Sequence, residues 1–337
     1  MSFSTRIPVI YGGGGIGDPG TFCKLTSVEA AQPIFDTWYN IVGPSAIDTS
    51  DLYGHGTSEP LIGKMNLHGS GVDTKCYPTT PGAHSYENVK KAVNSSVQKL
   101  QGIKIRVFYL HAPDRTVDWK ETLRAINELH QEGKFEAFGL SNFYSYEVAE
   151  IVMIARQNGW VQPTVYEGIY NPIDRSVETE LIPCLRRYNI RFAAYCPLAG
   201  GLLVGHLLSD SDELASIEPG SHYDAKQPFG RWFSSRYGPM VPEVRKLKEA
   251  AEKSGLNLNQ ASVRWLQHHS ALLSSDFGII FGGSKTSHVE TTLKYCTEGP
   301  LPDELVQAFE TCYANVKAGL PNYNHNPPWY NPKEHGY

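Results

Sequence analysis

Cysteine, blocks of like charge and long apolar runs are all scarce in this chain of 337 residues. Its six cysteines are scattered without a C-x-x-C pair, which is typical of a reducing compartment and predicts neither a disulfide framework nor a metal site. The 30 basic and 35 acidic residues give a formal net charge of −5, so we expect no nucleic-acid partner. No apolar run approaches the roughly 20 residues that span a bilayer, and the N-terminal segment is not typical of a secretory signal. These absences predict a cytoplasmic protein without a membrane partner.

What the chain does contain is a regular alternation of short β-branched or aromatic runs with longer stretches of helical spacing. One such stretch, DWKETLRAINELHQEG, has apolar residues at Leu123, Ile126 and Leu129 and a glycine, Gly133, at its expected C-terminal end. The short runs predict eight strands, at residues 8–11, 46–48, 72–77, 106–111, 137–140, 164–169, 191–196 and 278–281. Parallel neighbours need crossover connections, and eight strand–helix units suit a closed (β/α)8 barrel, the TIM barrel. An open doubly wound sheet is the alternative.

No linker or shift in composition divides the chain, so residues 1–337 are predicted to form a single domain. The longest irregular stretch, residues 202–240, is rich in Gly, Ser, Asp and Pro and follows the seventh predicted strand. In a barrel this stretch lies on the face that carries active sites, and loops of such length are often functional. Residues 318–337 form a C-terminal tail.

The segment GGGGIG near the N-terminus matches the dinucleotide-binding pattern G-x-G-x-x-G through Gly12, Gly14 and Gly17. That pattern needs a helix to begin at its last glycine, yet Asp18 and Pro19 follow and predict a turn. We therefore expect no Rossmann domain, and we attribute these glycines to close backbone approach at the end of the first strand.

Four ionisable side chains stand at or just after the C-terminal ends of predicted strands. Asp48 ends the second strand, Tyr53 follows it, Lys75 is near the end of the third, and His111 ends the fourth. Active sites of (β/α)8 barrels are built at this end. A buried lysine is rare without a partner, whereas a single histidine here is more often a hydrogen-bonded core residue. The convergence of all four on one face indicates an active site.

These four residues resemble the catalytic tetrad of the aldo-keto reductases. The segments DTSDLYG, LHAPD and EGKFEAFGLSNF are similar to that family as well, and TVYEGIYN, KQPFGRWF and LPNY resemble its aflatoxin-aldehyde reductase branch. The resemblance runs over nearly the whole chain and implies an oxidoreductase that reduces aldehydes or ketones. A cofactor-binding regulatory subunit of the same fold, with little turnover, is the alternative.

The resemblance implies a role for each member of the tetrad. Tyr53 acts as the general acid, and the ammonium of Lys75 lowers the phenol pKa from its ordinary value of about 10. Asp48 keeps Lys75 charged within the protein. His111 donates a hydrogen bond to the carbonyl oxygen and orients it.

None of these residues supplies a hydride, which implies a nicotinamide cofactor. By resemblance, its carboxamide is expected to lie against Ser141, Asn142 and Glu167, with Tyr195 stacked on the ring. The further cofactor contacts that the family implies are Pro197, Leu198, Gly200, Arg231, Gly283, Ser284, Lys285, His288 and Thr292.

Two regions depart from the family pattern. Glu167 replaces the usual glutamine, and an ionised carboxylate accepts from the carboxamide but cannot donate to it, which weakens cofactor binding or changes the ring orientation. On the 2′-phosphate side, His288 and Thr292 replace the usual arginine or glutamine and the usual asparagine, while Lys285 adds a point charge at an expected helix N-terminus. We therefore predict NADPH over NADH, although a solvated surface lysine is an equal alternative for Lys285.

The predicted substrate site is aromatic. Tyr11, Trp232 and Phe233, with Tyr53 and His111 of the tetrad, are expected to line a pocket for flat or apolar carbonyl compounds. The tail segment NYNHNPPWYNP either contributes to this pocket or packs on the barrel exterior. The sequence does not specify the substrate, and a homodimer is one assembly that it allows.

Overall fold

The computed structural model describes residues 3–209, 214, 217–227 and 230–331. Eight parallel strands close into a barrel in which each strand pairs with the next in sequence and β1 pairs with β8. The prediction of a (β/α)8 barrel is confirmed, each predicted strand is present, and the open-sheet alternative is wrong. The strands are β1 (Val9–Gly12), β2 (Ile47–Asp48), β3 (Val72–Cys76), β4 (Ile105–Leu110), β5 (Ala137–Ser141), β6 (Pro163–Ile169), β7 (Arg191–Tyr195) and β8 (Gly278–Phe281).

Helices connect the strands and cover the outside of the barrel. Side-chain oxygens of Ser27 and Asp118 accept hydrogen bonds from the backbone N–H groups of Ala30 and Lys120, which caps the first and fourth helices. Gly133 follows the fourth helix at a φ of +71°, the left-handed conformation that glycine adopts without strain. The helices are α1 (Val28–Val42), α2 (Ser58–Ile62), α3 (Tyr86–Lys99), α4 (Trp119–Gln131), α5 (Ser145–Gln157), α6 (Leu181–Arg187), α7 (Gly230–Tyr237), α8 (Val241–Lys253), α9 (Leu258–His268), α10 (Thr286–Cys296) and α11 (Asp303–Val316).

Strand side chains contribute alternately to two apolar layers, because successive residues of a strand point to opposite faces. The larger layer lies between the strands and the helices. The smaller one fills the barrel and consists of Ile10, Val107, Tyr109, Val165, Ala193 and Ile280. At the next inward positions, Glu167 follows Val165 on β6 and Tyr195 follows Ala193 on β7. Polar groups therefore lie directly above the apolar plug, at the C-terminal end of the barrel.

The long stretch after β7 is less irregular than its composition predicts. It contains α7 and short 3-10 turns at Ala199–Val204 and Gly238–Met240. Residues 210–213, 215–216 and 228–229 lie outside the described residues, and so do 332–337 of the tail. Pro228 and Phe229 of the KQPFGRWF segment are therefore not described. None of the helices in the described ranges combines the length and apolar character that a bilayer crossing requires.

Candidate active site

A buried ion pair lies at the C-terminal end of the barrel, on the neighbouring strands β2 and β3. The ammonium of Lys75 contacts both carboxylate oxygens of Asp48, at 2.6 and 2.8 Å, and donates to the carbonyl of Thr49 at 2.8 Å. Lys75 has no exposed surface and Asp48 is 4% exposed. Burial by itself lowers the pKa of Lys75, but the adjacent acidic groups, above all Asp48, outweigh burial and raise it. Lys75 is therefore a permanent cation.

Tyr53 reaches the same site from the loop after β2. It begins a short 3-10 turn in which His55 has a positive φ of 54°, and Nζ of Lys75 lies 5.4 Å from the centre of the Tyr53 ring. The glycine segment after β1 packs against the end of β2, since a Cβ at Gly13 would lie 2.8 Å from the carbonyl oxygen of Asp48. Close backbone approach therefore explains a glycine at this position.

The net effect of the surroundings on Tyr53 differs from the sequence-based expectation. Burial raises the pKa of Tyr53, the ammonium of Lys75 lowers it, and the charge of Asp48 raises it again, so the pKa stays above its ordinary value. Lys75 lowers the pKa of Tyr53 as predicted, but burial and the charge of Asp48 outweigh this effect. Tyr53 consequently carries its proton at physiological pH, as a proton donor must.

A serine that the sequence analysis did not single out holds the ring of His111. Oγ of Ser50 lies 3.0 Å from Nδ1 of His111, closer than it lies to the Asp51 carboxylate at 3.3 Å or the Lys75 carbonyl at 3.4 Å. We assign the serine hydrogen to Nδ1, which leaves the imidazole hydrogen on Nε2. Burial and then the charge of Lys75 lower the pKa of His111 well below its usual range. The ring is therefore neutral at pH 7 and still able to donate.

Glu167 belongs to the same buried cluster. Its Oε2 lies 3.2 Å from Nζ of Lys75, and the residue is 2% exposed. Burial and then the charge of Asp48 raise the pKa of Glu167 well above its ordinary range. A protonated carboxyl group donates as well as accepts. The expectation that residue 167 is an acceptor only applies to its ionised form, and the raised pKa favours the protonated form.

Ser141 and Asn142, at the end of β5, form a hydrogen-bonded group with Tyr195 at the end of β7. Nδ2 of Asn142 donates to the carbonyl of His111 and to Oγ of Ser141, both at 2.9 Å, and its Oδ1 accepts from the hydroxyl of Tyr195 at 2.8 Å. Asn142 is held at a φ of +65°, a strained conformation typical of functional sites. The Ser141 hydroxyl retains its hydrogen to donate, and the Tyr195 ring is only half-buried. This group suits a carboxamide beside a flat ring.

The loop after β7 continues the site with a second strained residue, Cys196, at a φ of 54°. Pro197 is buried and Leu198 is half-buried. A Cβ at Gly200 would lie 2.6 Å from the ring of Phe233, so the glycine lets this loop pack on α7. Gly200 therefore has a packing role whether or not a ligand contacts it.

Three predicted residues lie side by side at the start of α7, and the structure places them differently. Arg231 is exposed and Trp232 is half-buried. Phe233 is 6% exposed and packs against Gly200 of the loop after β7. The guanidinium of Arg236 lies 5.3 Å from the centre of the Trp232 ring and donates to the carbonyl of Asn322 at 3.3 Å. Helix α7 is thus tied to the C-terminal tail. Of the two aromatic residues, Trp232 has the more accessible ring.

The predicted 2′-phosphate residues lie at or near the N-terminus of α10. Lys285 is exposed at the N-cap position, while Thr292 is buried further along the helix. Burial and then the positive charges of Lys285, His206 and Lys24 lower the pKa of His288. His206 and Lys24 were not predicted, because they are distant in sequence and only the fold brings them here. Gly283 and the half-buried Ser284 lie between β8 and α10.

Tyr11 does not lie in this site, contrary to the sequence-based prediction. Ile10 faces the barrel interior, so the alternation along β1 directs Tyr11 towards the helices. Its ring packs against Phe35 and Trp38, with centroid distances of 5.9 and 5.4 Å, and its hydroxyl donates to the carbonyl of Gly283 at 3.2 Å. Tyr11 is 1% exposed and is not available to a substrate.

The tail crosses the mouth of the site beside His111. Tyr77, which follows β3, packs edge-on against His111 at a centroid distance of 5.3 Å, and its hydroxyl lies 2.6 Å from Nε2 of His325. The backbone N–H of His325 donates to the carbonyl of Asn142 at 3.2 Å. Tyr77 was not predicted as a site residue, because a tyrosine at the end of a predicted strand is usually a core residue. The sequence allowed the tail either to contribute to the pocket or to pack on the barrel exterior, and its described part lies at the mouth of the site.

Comparison with known proteins agrees with this geometry. The sequence model of the aldo/keto reductase family matches residues 8–314. The chain is 36% identical to the aldo-keto reductase pigE of Monascus ruber over 96% of this chain and 99% of that protein. It is 37% identical to the human aldo-keto reductase family 7 member A3 over 83% of this chain and 88% of that protein. Mouse aflatoxin B1 aldehyde reductase member 2 is 38% identical over 83% of this chain and 79% of that protein.

These matches span most of both chains at well above 30% identity. They confirm the resemblance to the aflatoxin-aldehyde reductase branch that the motifs indicated, and they agree with the closed barrel. The chain belongs to the aldo/keto reductase family of oxidoreductases.

Proposed function

We propose that this chain is an NADPH-dependent reductase of aldehydes or ketones. The observation that carries the proposal is the meeting of the Lys75–Asp48 ion pair, the protonated Tyr53 and the neutral His111 at one end of the barrel. Family membership supports carbonyl reduction with a nicotinamide cofactor. Relatives named as aldehyde reductases support an aldehyde or related carbonyl compound as substrate.

The four side chains divide the task of protonating a carbonyl oxygen. His111 donates a hydrogen bond from Nε2 and orients the carbonyl group, while Tyr53 passes its hydroxyl proton to the oxygen. The ammonium of Lys75 stabilises the phenolate that remains, and Asp48 holds that ammonium in place at 2.6 Å. The bound nicotinamide supplies the hydride.

Two groups of residues are suited to hold the two ends of the cofactor. Ser141, Asn142 and Tyr195 offer hydrogen bonds and a flat ring for the nicotinamide end. Lys285 and Lys24 offer positive charge beside the N-terminus of α10 for a 2′-phosphate. This positive charge supports NADPH over NADH.

The substrate class follows from the mouth of the site. Tyr77 and His325 place aromatic surface beside His111, which favours flat or apolar carbonyl compounds. The described part of the tail contributes His325 to this surface.

We keep the single domain and the cytoplasmic location as predictions.

The direct test is the loss of NADPH absorbance when the purified protein meets 4-nitrobenzaldehyde. We expect turnover with the unmodified protein and none with Tyr53→Phe, which removes one hydroxyl and keeps the ring. NADPH binding without turnover in the unmodified protein would favour a regulatory subunit of the same fold, and the reductase proposal would be withdrawn.

A further inference from the structure

Glu167 adds a second carboxyl group to an ammonium that already has a partner. Asp48 contacts Lys75 with both oxygens, at 2.6 and 2.8 Å, whereas Glu167 approaches Lys75 with one oxygen at 3.2 Å. All three residues are at least 96% buried. Water therefore cannot screen a surplus charge in this cluster.

If Asp48 and Glu167 were both ionised, this buried cluster would carry a surplus negative charge. A single ammonium balances only one carboxylate, yet Asp48 and Glu167 both lie within 3.2 Å of Nζ of Lys75, so a proton on one of the two acids removes the surplus charge. Asp48 makes the two shorter contacts with Lys75, so it keeps the negative charge. The proton belongs to Glu167, whose pKa burial and the charge of Asp48 raise well above the ordinary range.

Among the protonated groups of the cluster, Glu167 is the acid with the lowest ordinary pKa. Residue 141, opposite Glu167 on β5, is a serine. Burial raises the pKa of each neighbouring phenol and thiol above its ordinary value. The titratable and charged groups facing Glu167 are Asp48 on β2, Tyr53 in the following turn, Lys75 on β3, Tyr109 on β4, and Tyr195 and Cys196 at the end of β7.

We propose that Glu167 is a positioning residue that is protonated beside the neutral nicotinamide of NADPH and releases its proton to solvent when the positively charged ring of NADP+ binds. This inference rests on the proposed function, because it requires the nicotinamide ring beside Tyr195 and Glu167. A positive ring next to a buried acid favours the carboxylate, and a neutral ring does not. The site therefore discriminates between the two oxidation states of its cofactor through one proton.

The linkage between binding and protonation sets the size and sign of the effect. If NADP+ binding releases one proton and NADPH binding releases none, the affinity for NADP+ relative to NADPH rises with pH by up to about tenfold per pH unit. The rise ends where Glu167 is already ionised in the free protein. Buried glutamic acids reach pKa values of about 8–9, so the range from about pH 6 to about pH 10 covers the transition.

The experiment measures the dissociation constants of NADP+ and NADPH across this range by Trp fluorescence, with the protons released measured by calorimetry in buffers of different ionisation enthalpy. The ratio of the two constants cancels protons taken up by the 2′-phosphate, His288 or Lys285, since both cofactors carry that phosphate. We expect a pH-dependent ratio in the unmodified protein and a constant ratio in Glu167→Gln. The matched control is Glu59→Gln, which changes a completely buried acid bonded to Thr74 and should behave like the unmodified protein.

Each outcome has one meaning. An equal pH dependence in Glu167→Gln, or a constant ratio in the unmodified protein, overturns the inference and leaves the reductase proposal intact. Failure of the unmodified protein to bind either cofactor overturns the proposed function and the inference with it. If Glu167→Gln does not fold, difference infrared spectroscopy of the unmodified protein decides the matter: the carbonyl band of a protonated carboxyl group must disappear on NADP+ binding and persist on NADPH binding.

Discussion

Replacement of Lys75 by methionine should make the stability of this protein strongly dependent on pH. Lys75 has no exposed surface, and its ammonium is the positive charge that faces the carboxylate of Asp48 at 2.6 Å. Without it, Asp48 is a buried acid with no positive partner in this ion pair, and it must take up a proton to remain in the folded protein. Removal of one member of a buried ion pair typically costs about 3–5 kcal/mol.

The dependence on pH can be worked out from the proton balance. In the unfolded chain Asp48 ionises with a pKa of about 3.9, whereas in folded Lys75→Met it stays protonated to much higher pH. A folded-state pKa raised above the unfolded value means that stability is fully present below about pH 4 and is lost as the pH rises, by about 1.4 kcal/mol per pH unit. Over the three units to pH 7 the loss reaches about 4 kcal/mol, in agreement with the figure for a broken pair.

The assay is urea unfolding followed by Trp fluorescence at several values from about pH 5 to about pH 8. The difference in unfolding free energy between the unmodified protein and Lys75→Met should grow steadily over that range. The double variant Lys75→Met, Asp48→Asn removes the acid as well and should cancel this extra pH dependence. A difference that stays constant with pH, or that Asp48→Asn does not reduce, would refute the assignment of Asp48 as the carboxylate held by Lys75.

Three further predictions concern the cofactor and the proton donor. Tyr53→Phe should bind NADPH with a nearly unchanged Kd in a fluorescence titration while losing carbonyl reduction, and turnover near the unmodified rate would require a different donor. Lys285→Ala should weaken NADPH by about 10- to 150-fold and leave NADH almost unchanged, because a hydrogen bond to a charged group contributes roughly 1.5–3 kcal/mol. Equal losses of the two affinities would give Lys285 a structural role instead. Ser50→Ala should lower kcat by up to about tenfold with NADPH affinity unchanged, since His111 loses the hydrogen bond that fixes its Nε2 hydrogen; an unchanged kcat would dissociate Ser50 from catalysis.

The sequence alone determined the barrel and the four residues at its mouth. Strand and helix periodicities recur eight times, and parallel strands bring their carboxyl ends to one face whatever the details of packing. For that reason Asp48, Lys75 and His111, each at or near a strand end, could be placed together without coordinates. Tyr53 could be placed with them because it follows Asp48 by only five residues.

Tertiary structure decided everything that depends on the direction of a side chain or on neighbours distant in sequence. Tyr11 and Ile10 are adjacent in one strand, and the register of β1 in the barrel determines that Ile10 faces inward while Tyr11 packs on α1. The partner of Glu167 lies three strands away around the barrel, so its contact with Lys75 at 3.2 Å leaves no trace in local sequence.

The pKa values are the clearest case of what only the fold could decide. The sequence predicted correctly that Lys75 favours the phenolate of Tyr53, yet the net shift is upward, because it is a sum over burial and every nearby charge. The same sum lowers the pKa of His111 and raises that of Glu167. Residue types predict which groups can take part in the chemistry, whereas their protonation states depend on distances and burial that exist only once the chain has folded.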